Sequence, residues 1–205
     1  MFYRFVKRAF DFTSALLLFI LISPMLLVLM VCAYFSIGRP IFFRQERSGL
    51  HGKPFYLIKF RTMTDARDKN GDLLPDNERL TKFGKFLRNS SLDELPELLN
   101  IIKGDMSVVG PRPLYVRYNK YFTEYELKRN NVRGGLIPPE SLYHDSFLTW
   151  EKQLKYEADY AENCSLLLDA KIFISVFQTI LRRRTTEYGN YERKGLDEER
   201  QLSNN

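Results

Sequence analysis

The chain has little cysteine or histidine: Cys32 and Cys164 are the two cysteines of its 205 residues, and His51 and His144 the two histidines. The cysteines lie far apart in sequence, so no disulfide framework is implied and a reduced, cytosol-facing chain is the simple interpretation. Cysteine and histidine show no zinc-ligand spacing. We interpret His51, in a turn segment, and His144, in a polar and aromatic segment, as structural residues.

The sequence also lacks an internal repeat and a glycine-rich RNA-binding signature. Its 31 Lys and Arg against 25 Asp and Glu give a net charge of +6, which suits phosphorylated substrates, anionic lipid or nucleic acid. Without a recognition motif, nucleic acid is not an expected partner.

Charge is absent from Phe12 to Gly38, a run long enough for a membrane helix and too long for the apolar core of a signal peptide. Basic residues stand on both sides of the run, and basic flanks favour the cytoplasm. Pro24 leaves the carbonyl of Ile20 without its helical donor, and Ser23 is placed to satisfy a freed carbonyl. A re-entrant helix kinked at Ser23-Pro24 and an ordinary span with a proline kink both remain open.

Two adjacent acids, Asp93 and Glu94, open the most informative segment, which runs from Ser91 to Asp105. Ser91 and Glu94 match a capping box, and Gly104 predicts the helix end. Helical spacing predicts a buried stripe, and Pro96 a distorted first turn. The stripe consists of Leu92, Leu95, Leu99 and Ile102.

Arg112 follows between Pro111 and Pro113, whose fixed φ angles leave its backbone little freedom. A planar guanidinium suits bidentate contact with phosphate. The two carboxylates have two interpretations. They are cap and dipole residues of a first helical turn, or they hold Mg²⁺ while one attacks phosphorus.

These motifs together resemble the monotopic phosphoglycosyl transferases, the bacterial sugar transferase family. The resemblance covers roughly residues 7–113 and rests on four motifs. They are Lys59-Phe60-Arg61-Thr62-Met63, Asp93-Glu94 with the following Leu-Pro-Glu-Leu-Leu-Asn, Gly104-Asp105-Met106-Ser107, and Val109-Gly110-Pro111-Arg112-Pro113. The chain departs from the family near residues 133–139, where many members carry a Pro-Gly-Ile-Thr-Gly-like stretch.

The resemblance implies that Asp93 is the nucleophile and that Glu94 binds Mg²⁺. In the family the aspartate attacks the sugar-side phosphate of a UDP-sugar, UMP leaves, and polyprenyl phosphate takes the phosphosugar. The resemblance also makes Lys59 a candidate to contact Asp93 or a phosphate, with Arg88 as another. Lys59 and Arg61 alternate along a predicted strand, although a solvated strand face explains them equally well.

The predicted fold is α/β and helix-dominated, with a small β-hairpin, and is embedded in the membrane through the N-terminal helix, for which the resemblance implies the re-entrant form. Strands are predicted at 40–44 and 55–61, helices at 114–127, 150–160 and 169–184, and a loop at 133–139. The expected domains are a membrane helix over 1–38, a catalytic domain over 39–184, and a polar, disorder-prone tail over 185–205.

The expected function is transfer of a phosphosugar from a UDP-sugar to polyprenyl phosphate at the cytoplasmic face of a bacterial inner membrane. The lipid bilayer and downstream glycosyltransferases are the expected partners. Two alternatives remain: a membrane-anchored scaffold without catalysis, and a transferase that uses a direct ternary mechanism with Asp93 as base.

Overall fold

A computed structural model describes residues 2–143, 145, 148–182 and 194–202. Helices dominate these residues, as the sequence predicted, and two small two-stranded sheets accompany them where the sequence predicted one hairpin. The elements are α1 (Phe2–Ile37), β1 (Phe42–Ser48), β2 (Pro54–Phe60), α2 (Asp76–Arg79), α3 (Lys82–Asn89), α4 (Glu97–Lys103), β3 (Ser107–Val109), α5 (Glu124–Leu127), β4 (Gly135–Ile137), α6 (Trp150–Asn163), α7 (Leu166–Arg182) and α8 (Leu196–Leu202).

Helix α1 is the one helix among the described residues that is long and apolar enough to cross a membrane. It runs without interruption through Pro24, so the predicted kink stays a prediction. The hydroxyl of Ser23 donates to the carbonyl of Ile20 at 2.8 Å. This is the carbonyl that Pro24 deprives of its N–H partner, so the side chain replaces the missing main-chain donor.

The chain divides into two compact units. The acid-turn unit consists of Phe12–Gln45 and Tyr56–Lys103. The arginine-loop unit consists of Met1–Asp11, Glu46–Phe55 and the described part of Gly104–Asn205. Helix α1 therefore contributes to both units, whereas the sequence suggested a separate membrane domain ending at residue 38.

One face of α1 packs on the core of the acid-turn unit. Leu26, Leu29 and Ala33 of this helix are buried together with Phe60 of β2 and Leu87 of α3. Other apolar side chains of the same helix are exposed, among them Leu21 at 77% and Phe35 at 81%. Large exposed apolar surfaces are unusual for a protein in water, so this face suits a lipid environment.

The hairpin of β1 and β2 confirms the predicted strand pair. Helix α3 lies against the chain just after β2, where a Cβ atom on Gly84 would stand 1.9 Å from the carbonyl oxygen of Thr62. Because any side chain would collide with this backbone, glycine is required at position 84 for the close approach.

Strands β3 and β4 of the arginine-loop unit run parallel, with Ser107 opposite Gly135 and Val109 opposite Ile137. The predicted loop over 133–139 is therefore wrong for Gly135–Ile137. The prediction interpreted the glycines as turn residues, but Gly135 is needed because two backbone segments lie in close contact. A Cβ atom on Gly135 would lie 2.1 Å from the backbone nitrogen of Gly110.

Predicted helices at 150–160 and 169–184 correspond to α6 and α7, although Arg183 and Arg184 lie outside the described residues. The predicted helix over 114–127 is instead a 3₁₀ segment, Val116–Tyr121, followed by α5. The tail also differs from the prediction, because α8 is a helix and its Leu196 is fully buried in a core cluster with Trp150 and Leu154.

Candidate active site

The acid pair lies in a single 3₁₀ turn, Leu92–Glu94, rather than in the first turn of a long helix. Ser91 makes no side-chain cap and has a left-handed backbone with φ of 55°, so the predicted capping box is wrong. Its N–H instead donates to the carbonyl of Arg88, which closes the end of α3. A left-handed non-glycine residue costs free energy, and such residues cluster at functional sites.

Helix α4 begins only at Glu97, one residue after Pro96. This late start rotates the helix relative to the predicted stripe. Leu98 and Ile101 are buried, whereas Leu99 is exposed. Sequence spacing failed here because it assumed one continuous helix from Leu92 onward.

Lys59 of β2 joins the turn to the helix. Its Nζ lies 2.6 Å from Oε1 of Glu94 and 3.2 Å from Oε1 of Glu97. The direct partners of Lys59 are therefore the two glutamates and not Asp93, while its predicted contact with a phosphate stays a prediction. Glu97 is almost completely buried and was not among the predicted site residues.

Asp93 is half-buried beside these charges. Burial raises the pKa of Asp93 above its ordinary value, and the negative charge of Glu94 raises it further. The positive charges of Lys59 and Arg88 act in the opposite direction. Arg88 is exposed, and its Nε donates to Oγ1 of Thr62 at 3.0 Å, so the end of α3 presents a fixed guanidinium on the same side of the site.

Asn100 connects α4 to the strand that carries Lys59. Its Oδ1 accepts from the N–H of Ile58 at 3.1 Å, and its Nδ2 donates to the carbonyl of Tyr56 at 2.8 Å. The side chain is buried and occupies the edge of β2 as a further strand would. Sequence reasoning missed this residue, because an amide on a helix carries no signal about a strand some forty residues earlier.

Arg61 contacts other groups. Its Nη2 lies 2.5 Å from Oδ2 of Asp65, and its Nη1 donates to the carbonyl of Arg39 at 3.2 Å. The side chain is almost buried at the end of the hairpin, and its predicted contact with substrate stays a prediction.

The Arg112 loop belongs to the arginine-loop unit. Pro111 and Pro113 are buried, whereas Arg112 is exposed. The carbonyl of Pro111 accepts from the N–H of Gly135, and a Cβ atom on Gly134 would lie 2.7 Å from the ring of Pro113. The loop therefore combines a close-packed backbone with an exposed arginine, which suits an anionic ligand.

Among the described residues, no three His, Cys, Asp or Glu side chains form a group that could hold a metal ion. Mg²⁺ at phosphate-transfer sites commonly takes one or two carboxylates and completes its shell with water and phosphate oxygens. The adjacent carboxylates of Asp93 and Glu94 fit this smaller donor set.

Comparison with known proteins matches residues 2–183 to the family model described as bacterial sugar transferase. The chain is 45% identical over 176 residues to the sugar transferase EpsL of Bacillus subtilis (strain 168), covering 86% of this chain and 87% of that protein.

Two further relatives carry names that state a reaction. The UDP-glucose:undecaprenyl-phosphate glucose-1-phosphate transferase of Klebsiella pneumoniae is 37% identical over 86% of this chain and 40% of its own length. The UDP-N-acetylgalactosamine-undecaprenyl-phosphate N-acetylgalactosaminephosphotransferase of Aeromonas hydrophila is 33% identical over 87% of this chain and 44% of its own length. The chain thus spans less than half of these two relatives. It belongs to the bacterial sugar transferase family of enzymes.

Proposed function

We propose that this enzyme transfers a phosphosugar from a UDP-sugar to undecaprenyl phosphate and releases UMP. The observation that carries the proposal is the strained turn at Asp93 and Glu94, which Lys59 binds from the neighbouring strand. Relatives named for this reaction with glucose and N-acetylgalactosamine support the choice of substrates.

The proposed reaction has two displacements at one phosphorus atom. An oxygen of Asp93 attacks the phosphorus that bears the sugar, the bond from this phosphorus to UMP breaks, and UMP leaves. An oxygen of undecaprenyl phosphate then attacks the same phosphorus and releases Asp93. Carboxylate nucleophiles of this kind are known in other phosphate-transfer enzymes.

Charge at the site supports this chemistry. A carboxylate that approaches a diphosphate needs nearby positive charge, and Lys59 and Arg88 both act on Asp93. Arg112 is the further candidate for the diphosphate, because it is exposed on a rigid backbone. Glu94 would hold Mg²⁺, which when bound offsets the negative charge of the diphosphate.

The membrane part of the proposal concerns α1. We propose that both ends of this helix lie on the cytoplasmic side of the bacterial inner membrane and that the chain re-enters at Ser23-Pro24. Basic residues on both flanks and the exposed apolar face of the helix support this topology. The product would then be formed where downstream glycosyltransferases can reach it.

The sugar is the open part of the substrate. The chain's motifs resemble those of the family member that transfers phospho-N,N'-diacetylbacillosamine, while the named relatives use glucose and N-acetylgalactosamine. The departure from the family near residues 133–139 leaves the choice among these three sugars to experiment.

The test uses the purified full-length protein in lipid nanodiscs with Mg²⁺, undecaprenyl phosphate and each of the three radiolabelled UDP-sugars. We expect label in the lipid fraction with one of them. Asp93→Asn should lose at least about 100-fold in turnover, because an amide is a poor nucleophile. The matched control is Asp76→Asn, which changes an exposed aspartate of the same unit.

Acceptor-free incubation separates the two mechanisms. The covalent mechanism predicts one equivalent of UMP and a phosphosugar adduct on Asp93 by mass spectrometry. If UMP appears only when undecaprenyl phosphate is present, Asp93 acts as a base in a direct transfer instead.

A further inference from the structure

A buried ion pair lies directly behind the Arg112 loop. Nε of Arg129 is 2.6 Å from Oε2 of Glu157, and both side chains are almost completely shielded from solvent. Arg129 comes from the 3₁₀ segment Lys128–Asn131, and Glu157 from the middle of α6. Buried charges of this kind are costly unless their hydrogen bonds are satisfied, and both members of this pair have further hydrogen-bond partners.

The pair binds both polar main-chain groups of Arg112. The N–H of Arg112 donates to Oε1 of Glu157 at 3.1 Å, and its carbonyl accepts from Nη2 of Arg129 at 2.5 Å. Residues 111 and 113 are prolines, so the N–H of Arg112 is the single main-chain donor of this three-residue segment. The ion pair therefore fixes the loop through its one exposed residue.

The remaining contacts hold the carboxylate of Glu157 itself. Nε2 of Gln153, one turn earlier on α6, donates to the same Oε1 at 3.0 Å. The guanidinium of Arg129 also lies over the ring of Phe122, 5.3 Å from its centroid. The carboxylate of Glu157 and the guanidinium of Arg129 are thus each oriented by a contact outside the Arg112 loop.

We propose that Arg129 and Glu157 are positioning residues of the enzyme, which hold the backbone of Arg112 so that its guanidinium is presented to the diphosphate of the nucleotide sugar. The inference rests on the proposed function, because it takes Arg112 as the group that meets the substrate. Neither buried residue touches substrate, and both act through the main chain of Arg112.

Conservative variants test the proposal. Arg129→Lys keeps the charge but cannot bridge Glu157 and the carbonyl of Arg112 as a planar fork does. Glu157→Gln keeps the shape and weakens the pairing with Arg129. We expect each to lower kcat/KM for the UDP-sugar by about 10- to 100-fold, the loss typical of a misplaced substrate-binding group.

Two controls separate positioning from folding. Leu154→Ala removes a fully buried apolar side chain of the same helix from the cluster with Trp150 and Leu196, so it should lower the melting temperature and leave kcat/KM within about 2-fold. Glu162→Gln breaks the exposed pair with Lys128, which joins the same two elements. It should change neither quantity, as is usual for surface pairs.

The decisive measurement is a double-mutant cycle with Arg112→Ala. If Arg129 and Glu157 act through Arg112, their variants should reduce kcat/KM by less than about 2-fold once the guanidinium is gone, while the loss of melting temperature persists. The affinity of the same variants for UDP, measured by calorimetry, gives a second double-mutant cycle that does not depend on turnover. Additive losses in both readouts, or an equal loss of kcat/KM with Leu154→Ala, would overturn the positioning role.

The two proposals fail differently. If Arg112→Ala retains turnover and UDP affinity, the proposed role of Arg112 is wrong and the positioning role goes with it. If Arg112→Ala is impaired while Arg129→Lys and Glu157→Gln are not, the proposed function stands and only the positioning role is wrong.

Discussion

Replacing Asn100 tests how strongly α4 is tied to the strand that carries Lys59. In Asn100→Ala, the N–H of Ile58 and the carbonyl of Tyr56 both lose their side-chain partner in a buried setting. A buried polar group without a partner costs about 1–3 kcal/mol. Because two main-chain groups lose their partner, we expect the free energy of unfolding to fall by about 3 kcal/mol. For a chain of this size this corresponds to a fall of roughly 6–12 °C in melting temperature.

Activity should fall as well, because Lys59 follows Ile58 directly and its distances to Glu94 and Glu97 depend on the position of β2. The assay is thermal unfolding in nanodiscs, combined with turnover measured well below the lower melting temperature. Asn100→Asp should be similarly destabilised, since it keeps the acceptor for Ile58 but turns a carboxylate oxygen toward the carbonyl of Tyr56.

Asn163→Ala is the matched control, because its amide is exposed and donates only to a carbonyl of its own helix. We expect a change of less than about 0.5 kcal/mol there. Equal melting temperatures for Asn100→Ala and Asn163→Ala would refute the reasoning, and would mean that water or a shifted strand replaces the amide.

The remaining predictions concern a buried carboxyl and the membrane helix. Burial, together with the charge of Glu157, raises the pKa of Glu140 to about 8. The folded state thus holds a proton that the unfolded state releases, and the free energy of unfolding should fall between about pH 4.5 and pH 8, by up to about 1.4 kcal/mol per pH unit. Glu140→Gln should flatten this decline in melting experiments from pH 5 to pH 8, and an unchanged slope would contradict the assignment. For the helix, single cysteines at Phe2 and Ser48, in a chain without Cys32 and Cys164, should both resist a membrane-impermeant thiol reagent in intact cells. Labelling at one position alone would demonstrate an ordinary span, and Pro24→Ala should increase that labelling.

The elements that sequence predicted well have strong local patterns. The uncharged run of α1, the alternating hairpin and the periodic helices α6 and α7 each carry their signal within one segment. The acid pair and the Arg112 loop were found in the same way, since their residues are neighbours in the chain.

The elements that sequence missed depend on distant partners. Arg129 and Glu157 meet across 28 positions, and Ile58 and Asn100 across 42. The left-handed backbone of Ser91 follows from the end of α3 and the delayed start of α4, and a capping pattern cannot distinguish this from a true N-cap. Glycines 134 and 135 were taken for a loop because close backbone contact and turn formation both select glycine.

The first turns of α1 have a consequence for how the protein can be handled. Asp11 is buried, and its carboxylate accepts from the hydroxyl of Ser107 at 2.7 Å and from the N–H of Val108 at 3.0 Å. Lys7 lies 2.9 Å from Asp169 of α7. Residues 2–11 are therefore part of the folded arginine-loop unit. Removal of α1 to obtain a version for work in water, or its replacement by a foreign membrane anchor, should therefore destabilise the arginine-loop unit unless residues 2–11 are kept, because Asp11 and Lys7 are partners of β3 and α7.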